Sequence, residues 1–309
     1  MKLSLSNCSS NQYLKYGFSL FETLKALRDC GFSCVDLDIQ KEYLTDLSAR
    51  AAEMRTMLTS LNLTATTSHA PTTSLLKRPA EAFEILTATL RFCREVGIPC
   101  TVVHPGTLPG ITREEFFERN VAFYRSLIPL AEETGVSVLV ENIGNYADEY
   151  FLYNGKDLRE MVDRIGHPLF AACWDVGHAN HFFEKDCDQY TSILALGDKL
   201  AAIHAHDNCG YISDTYKHSR LDAHTFPYYS HAASVNWDAV LQGLVDVGYR
   251  GTFNFEINAP ATQDRSPFFY RGEEVKKLEI PPIEVWVAFN TALYQMGAAM
   301  LKAYDVYEK

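Results

Sequence analysis

Six short apolar runs in this chain end in, or just short of, a residue that can bind a metal or carry a proton. TTSH stops on His69, TVVH on His104, VLVE on Glu141 and CWD on Asp175. IHAHDN holds His204 and His206, and FNFEI holds Glu256. From His69 to His204 the steps are 35, 37, 34 and 29 residues. Each is about the length of one strand–helix unit, so the residues recur once per unit at one height in the fold. A lone His at a strand end is more often a hydrogen-bonded rim residue than a ligand. A Glu in an apolar run is less ordinary, because a buried unpaired carboxylate is costly. Imidazoles with carboxylates and no thiolates are a ligand set for a divalent ion. The imidazoles favour Zn, Mn or Co over Mg. The stretch CWDVGHAN, residues 173–180, poses the choice sharply. Asp175 and Gly177 suit a plain turn, but Asp175 with His178 also suits a metal site.

Only a closed barrel makes such strand ends converge, and the rest of the chain predicts one. Strand runs are expected at Leu3–Ser6, Cys34–Asp38, Leu63–Ser68, Cys100–His104, Ser137–Glu141, Leu169–Asp175, Leu200–Ala205 and Thr252–Ile257. Several are continuously apolar, as parallel strands covered on both faces are. Helical patterns lie between them. Thr112 and Glu115 form a capping box for a helix over 113–134 that Gly135 ends. Pro79 opens another that stops at Gly97. Asn236 can cap a helix carrying Trp237, Val240, Leu241, Leu244 and Val245 on one face, stopped by Gly248. The last helix is expected at roughly Ile283–Ala303. Eight alternating units predict an α/β fold of the (β/α)8 TIM barrel type, in one domain over 1–309. No G-x-G-x-x-G follows the first strand, which argues against a dinucleotide fold. Long loops near 207–235 and 258–282 fall where an active-site rim would be.

Composition narrows the partners. The 309 residues carry a net charge of −11, which argues against nonspecific nucleic-acid binding through a basic surface. No run of about 18 apolar residues is present, so no membrane span is expected. The N-terminus lacks a long apolar signal core, and the eight cysteines show no C-x-x-C spacing, so a reducing cytoplasm is the expected compartment. Cys34, Cys100 and Cys173 read as small buried residues. A homo-oligomer is compatible with all of this.

The stretch IHAHDN…LDAH…VNWDAVLQGLVDVGYRGTFNFEI, residues 203–257, together with ENIG at 141–144 and D-x-x-H at 175–178, resembles the xylose-isomerase-like barrel superfamily. That group joins sugar (phosphate) isomerases and epimerases with endonuclease-IV-like enzymes. The resemblance covers nearly the whole chain. It implies a metal held by Glu141, Asp175, His204 and Glu256, with Glu141 and Glu256 also moving protons on opposite faces of a sugar carbon. It implies a substrate contact from His178. His69, His104, His206 and Arg220 are further substrate-contact candidates, and Lys217 lies in the same loop as Arg220. The endonuclease-like branch implies a wider metal cluster, to which His69, His104, His178, Asp222 and His224 correspond here. One segment departs from the sugar enzymes. TFPYYSHAASVNW, with its tyrosines and His231, stands where many have a Gly-rich turn, so the pocket rim differs.

The favoured reading is therefore a divalent-metal-dependent isomerase or epimerase of a small sugar or sugar phosphate, working by Glu-mediated proton transfer through an enediolate. Dehydration of a polyol ketone could use the same residues. The alternative is a metal-dependent phosphodiesterase acting on abasic DNA. Its phosphate contacts would fall to Lys41, Lys77 and Arg78, a thin set. A non-catalytic sugar-binding barrel fits least, because the ligand positions are intact.

Overall fold

The computed structural model describes residues 1–143, 151–182, 188–210, 222–228, 234–258, 268–270, 273–275 and 281–309. Eight strands follow in chain order: β1 Leu3–Ser6, β2 Cys34–Asp38, β3 Thr64–His69, β4 Cys100–Val103, β5 Ser137–Glu141, β6 Phe170–Asp175, β7 Leu200–Ala205 and β8 Phe253–Phe255. Each pairs in parallel with the next, and β8 pairs in parallel with β1, which closes the barrel. These bounds agree with the expected runs to one residue, apart from the end of the eighth. There the Glu256 N–H still donates to the Ala205 carbonyl at 3.2 Å, but the Asn258 N–H turns away to His224 at 2.9 Å, which ends the ladder. His104, His206 and Glu256 therefore sit just beyond their strands rather than within them.

The surrounding helices are α2 Leu20–Asp29, α3 Leu47–Leu61, α4 Pro79–Val96, α5 Arg113–Ser126, α6 Ile128–Thr134, α7 Gly155–Ile165, α9 Gln189–Leu196, α10 Trp237–Asp246 and α11 Ile283–Ala303. Two short helices, α1 Cys8–Asn11 and α8 Val176–Asn180, follow β1 and β6 closely. The Thr112–Glu115 capping box and the Asn236 cap both form. The single helix expected over 113–134 is instead two, α5 and α6, joined at Leu127. Pro129 explains the break: it has no N–H for the Arg125 carbonyl, and its ring crowds that carbonyl.

Apolar packing falls into two layers. The larger lies between the strands and the helices and includes Val35, Leu37, Val138, Val140, Trp174 and Ile203. The smaller plugs the barrel with Val102, Leu139, Cys173 and Ala202. Each plug residue stands two positions before His104, Glu141, Asp175 or His204. Strand alternation therefore sends both members of each pair inward, the apolar one below and the polar one at the mouth. Cys34 and Cys173 are buried as expected, whereas Cys100, at the start of β4, is only half-buried.

Of the two expected irregular stretches, 258–282 contains a short antiparallel pair, β9 Phe268–Tyr270 and β10 Glu273–Val275. In 207–235, Asp207 and Thr225 exchange two backbone hydrogen bonds of 2.9 Å. Lys217, Arg220 and His231 lie outside the described residues. No described helix is long and apolar enough to cross a membrane.

Candidate metal centre

Asp175 ends β6 and caps α8, accepting the His178 N–H on Oδ1 at 2.6 Å. Asn142 clamps the neighbouring strand end: its Oδ1 accepts the Asp175 N–H at 2.7 Å and its Nδ2 donates to the Asp175 carbonyl at 2.8 Å. These bonds fix the ends of β5 and β6, and with them Glu141, Asp175 and His178. Just beyond β7, Asp207 accepts the Trp237 indole N–H at 2.8 Å and the N–H groups of Ser234 and Val235, at 3.1 and 3.2 Å. The Asp of H-x-x-D thus anchors the start of α10 and does not enter the site.

The mouth residues form three adjoining groups. Glu141, Asp175, His204 and Glu256 make the central one, with ligand atoms all within 4.8 Å of one another. His204 Nδ1 lies 3.0 Å from Glu141 Oε1, 3.1 Å from Glu256 Oε2 and 4.0 Å from Asp175 Oδ2. His69, His104 and Glu141 make the second. Glu141 Oε2 is 2.8 Å from His104 Nε2 and 3.4 Å from His69 Nε2, yet it has no well-directed hydrogen bond. His178, His206, Asp222 and His224 make the third, where Asp222 Oδ2 lies 3.4 Å from His178 Nε2 and 3.1 Å from His224 Nε2. Glu141 gives one oxygen to each of the first two groups and so bridges them.

The donor chemistry fits a divalent ion. His69, His178 and His224 place Nδ1 at 2.8, 2.9 and 2.9 Å from the carbonyls of Ala70, Asn142 and Glu256. A carbonyl only accepts, so each Nδ1 carries the proton and each Nε2 is turned toward the carboxylates. That is how metal-binding imidazoles are generally oriented. Glu141 and Asp175 are fully buried, and fully buried carboxylates need compensating positive charge.

Imidazolium supplies that charge in the metal-free chain. Burial raises the Glu141 carboxyl, but His204 and His104 outweigh it and hold it well below the usual carboxylate range. Burial likewise pulls His69 and His224 down. The Glu141 and Asp222 carboxylates beside them reverse this and push each up to about 9. Burial wins at His104, which is lowered. The sign of the metal linkage follows. His69 and His224 must lose a proton to ligate, so below about pH 9 an ion has to displace protons. Apparent Zn(II) or Co(II) affinity is expected to climb from pH 6.5 to 9, with proton release visible by calorimetry in buffers of different ionisation heat. A flat profile would contradict protonated ligands. In the metal-free chain the same two imidazoles contribute stability that is complete below 6.5 and lost as pH rises through about 9.

The expected metal ligands and the expected substrate contacts His69, His104, His178 and His206 converge, and Arg220 lies outside the described residues. His206 joins the third group: Nε2 donates to Asp175 Oδ1 at 3.0 Å, and its ring stacks on His224 at 3.7 Å. Two residues at the site are not among the expected site residues, although Cys173 is buried as expected. Cys173 lies beneath Glu141 and His204 as part of a further ligand-capable set. Asp36 on β2 is fully buried near His204. Its signal was available, since it is a carboxylate within an apolar strand, like Glu141.

A probable endonuclease 4 of Aquifex aeolicus (strain VF5) is 26% identical over 154 residues, 45% of this chain and 54% of that protein. The chain spans about half the length of the curated relatives it matches. The IolI protein, solved with a zinc atom, superposes with a TM-score of 0.74 at 15% identity, over 99% of this chain and 100% of that one. D-psicose 3-epimerase, solved in the presence of D-fructose, gives 0.71 at 13% identity, over 97% and 99%. At such identities these likenesses establish the fold alone. Residues 24–275 match the family model for the xylose isomerase-like TIM barrel, and with the closed barrel this shows that the chain belongs to that family.

Proposed function

We propose that the chain is a divalent-metal-dependent isomerase or epimerase of a sugar or sugar phosphate. One observation carries this reading: the Glu141 and Glu256 carboxylates flank His204 Nδ1 at 3.0 and 3.1 Å at the barrel mouth. Two groups able to carry protons thus meet at one ligand of the cluster. The likeness to D-psicose 3-epimerase supports it. A divalent ion held by Glu141, Asp175, His204 and Glu256 supplies Lewis-acid stabilisation of charge developing on the sugar's oxygens.

The two glutamates are not equivalent. Glu256 is 13% exposed and Glu141 is fully buried, so Glu256 is the one a substrate meets first. Burial raises the Glu256 carboxyl, and His204 more than offsets this, so Glu256 is ionised at neutral pH and serves as the base. It removes the proton from the carbon beside the carbonyl. Glu141, ionised in the resting site, would first take up a proton from a substrate hydroxyl or water and then return one to the same or the adjacent carbon, while the proton held by Glu256 restores that hydroxyl or passes to water. His178, its ring fixed by the Asn142 carbonyl, directs Nε2 at a substrate hydroxyl. The test is solvent deuterium entering a carbon-bound position of a sugar, with the metal-loaded chain and a broad panel of ketoses and aldoses.

A second reading, a metal-dependent phosphodiesterase, has its own support. Glu141 bridges two ligand groups and a third adjoins them, which suits several ions activating water. Of the three cations expected to contact phosphates, Lys41 and Arg78 both face Glu81, at 3.8 and 2.9 Å, which weakens that reading. Cleavage of abasic-site DNA without deuterium uptake in any sugar would reverse the ranking.

A further inference from the structure

Asp36 sits inside the barrel with no part in the three ligand groups. Alternation along β2 sends Val35 and Leu37 outward to the helix layer and Asp36 inward. The register between β2 and β3 slips at this point, so that Asp36 pairs with Thr67 instead of Thr66. The slip brings the Thr67 hydroxyl to Asp36, where it donates to Oδ1. The other oxygen, Oδ2, has no hydrogen bond, and neither has Nε2 of His204. These two buried atoms lie 3.8 Å apart.

His204 thus has carboxylates beside both of its ring nitrogens. Its Nδ1 meets Glu141 and Glu256, and its Nε2 meets Asp36. His69, His178 and His224 each direct the nitrogen away from the cluster at a backbone carbonyl. His204 has no hydrogen-bond partner on that side, and Asp36 Oδ2 is the carboxylate oxygen within reach. An imidazole that binds metal through one nitrogen generally hands its other N–H to a carboxylate or carbonyl, which fixes ring plane and tautomer. A purely structural Asp36, tying β2 to β3 through Thr67, would use one oxygen and leave the second buried without purpose. That is a costly arrangement for a carboxylate.

We propose that Asp36 is a positioning residue of the metal centre: Oδ2 accepts a hydrogen bond from the Nε2–H of His204 and so holds Nδ1 toward Glu141 and Glu256. This rests on the metal-site reading above. The test is Co(II) titration of the metal-free full chain, followed by visible absorption, for wild type, Asp36→Ala and Asp36→Asn. Asp36→Ala is expected to weaken Co(II) binding by about 10–100-fold and to alter the absorption envelope. Asp36→Asn keeps an acceptor oxygen without the charge, and its affinity should fall between the two. Equal affinity and an unchanged spectrum in Asp36→Ala would overturn the positioning role alone. A wild-type chain that takes up no Co(II) would overturn the metal site with it. Should Asp36→Ala not fold, the wild type suffices: with Zn(II) bound and histidine labelled with 15N, His204 must show a protonated Nε2. A protonated Nδ1 would refute the proposal.

Discussion

Glu141→Gln is expected to abolish turnover and to strip metal from two ligand groups at once. The carboxylate is fully buried, with Oε1 3.0 Å from His204 and Oε2 2.8 Å from His104. A carboxamide has nearly the same shape but no charge, and its NH₂ would face imidazole nitrogens that need an acceptor or an ion. Loss of a proton carrier alone costs about 10²–10⁴-fold in rate, and loss of the bridging ligand adds to that. Glu256→Gln provides the contrast. Glu256 serves only the central group, so its variant should lose turnover while the His69–His104 group keeps its ion. Elemental analysis of metal per chain, paired with turnover on whichever substrate the panel identifies, separates the two. Near-wild-type turnover in Glu141→Gln would remove Glu141 from the chemistry.

The barrel was legible because its signals are local and repeated. Apolar runs, capping boxes and terminating glycines each act within a few residues. Glu141 and Asp175 were legible because a carboxylate closing an apolar run conflicts with burial unless something compensates it. Asp36 breaks the same rule but was overlooked, because it lies in the middle of its strand and no rhythm of strand ends marks it. The break at Pro129 was overlooked for the opposite reason: a strong capping box upstream and Gly135 downstream frame one continuous helix, and the proline stands between them. What the spacing could not supply was grouping. Which His faces which carboxylate depends on strand tilt and stagger, and those belong to the closed sheet. Hence His206, a candidate substrate contact by sequence, turns out to join Asp175 of the central group to His224 of the third.

Gly177→Ala is expected to be the most damaging small substitution near the site. Gly177 lies in α8, and its φ is not in the left-handed region, so the backbone does not demand glycine. Alanine should even favour the helix by about 0.8–1 kcal/mol. The obstacle is His206, since a Cβ at this position would fall within its ring, against Cε1 and Nδ1. The neighbouring ring leaves little room for a shift, because His206 stacks on His224 at 3.7 Å and donates to Asp175 at 3.0 Å. Overpacking of this kind costs about 1–3 kcal/mol. Displacing Asp175 and His224 by as little as an ångström would cost turnover about 10²-fold. The glycine of D-V-G-H is therefore required by a histidine nearly thirty residues away, as DVGH and HAHD must fit into one space. The double variant Gly177→Ala/His206→Ala decides the point. It should recover the thermal stability lost by Gly177→Ala, because the clash is gone, while turnover stays low because Asp175 has lost the His206 hydrogen bond. If Gly177→Ala alone melts and turns over like the wild type, the ring has room to move and this coupling between the two motifs does not exist.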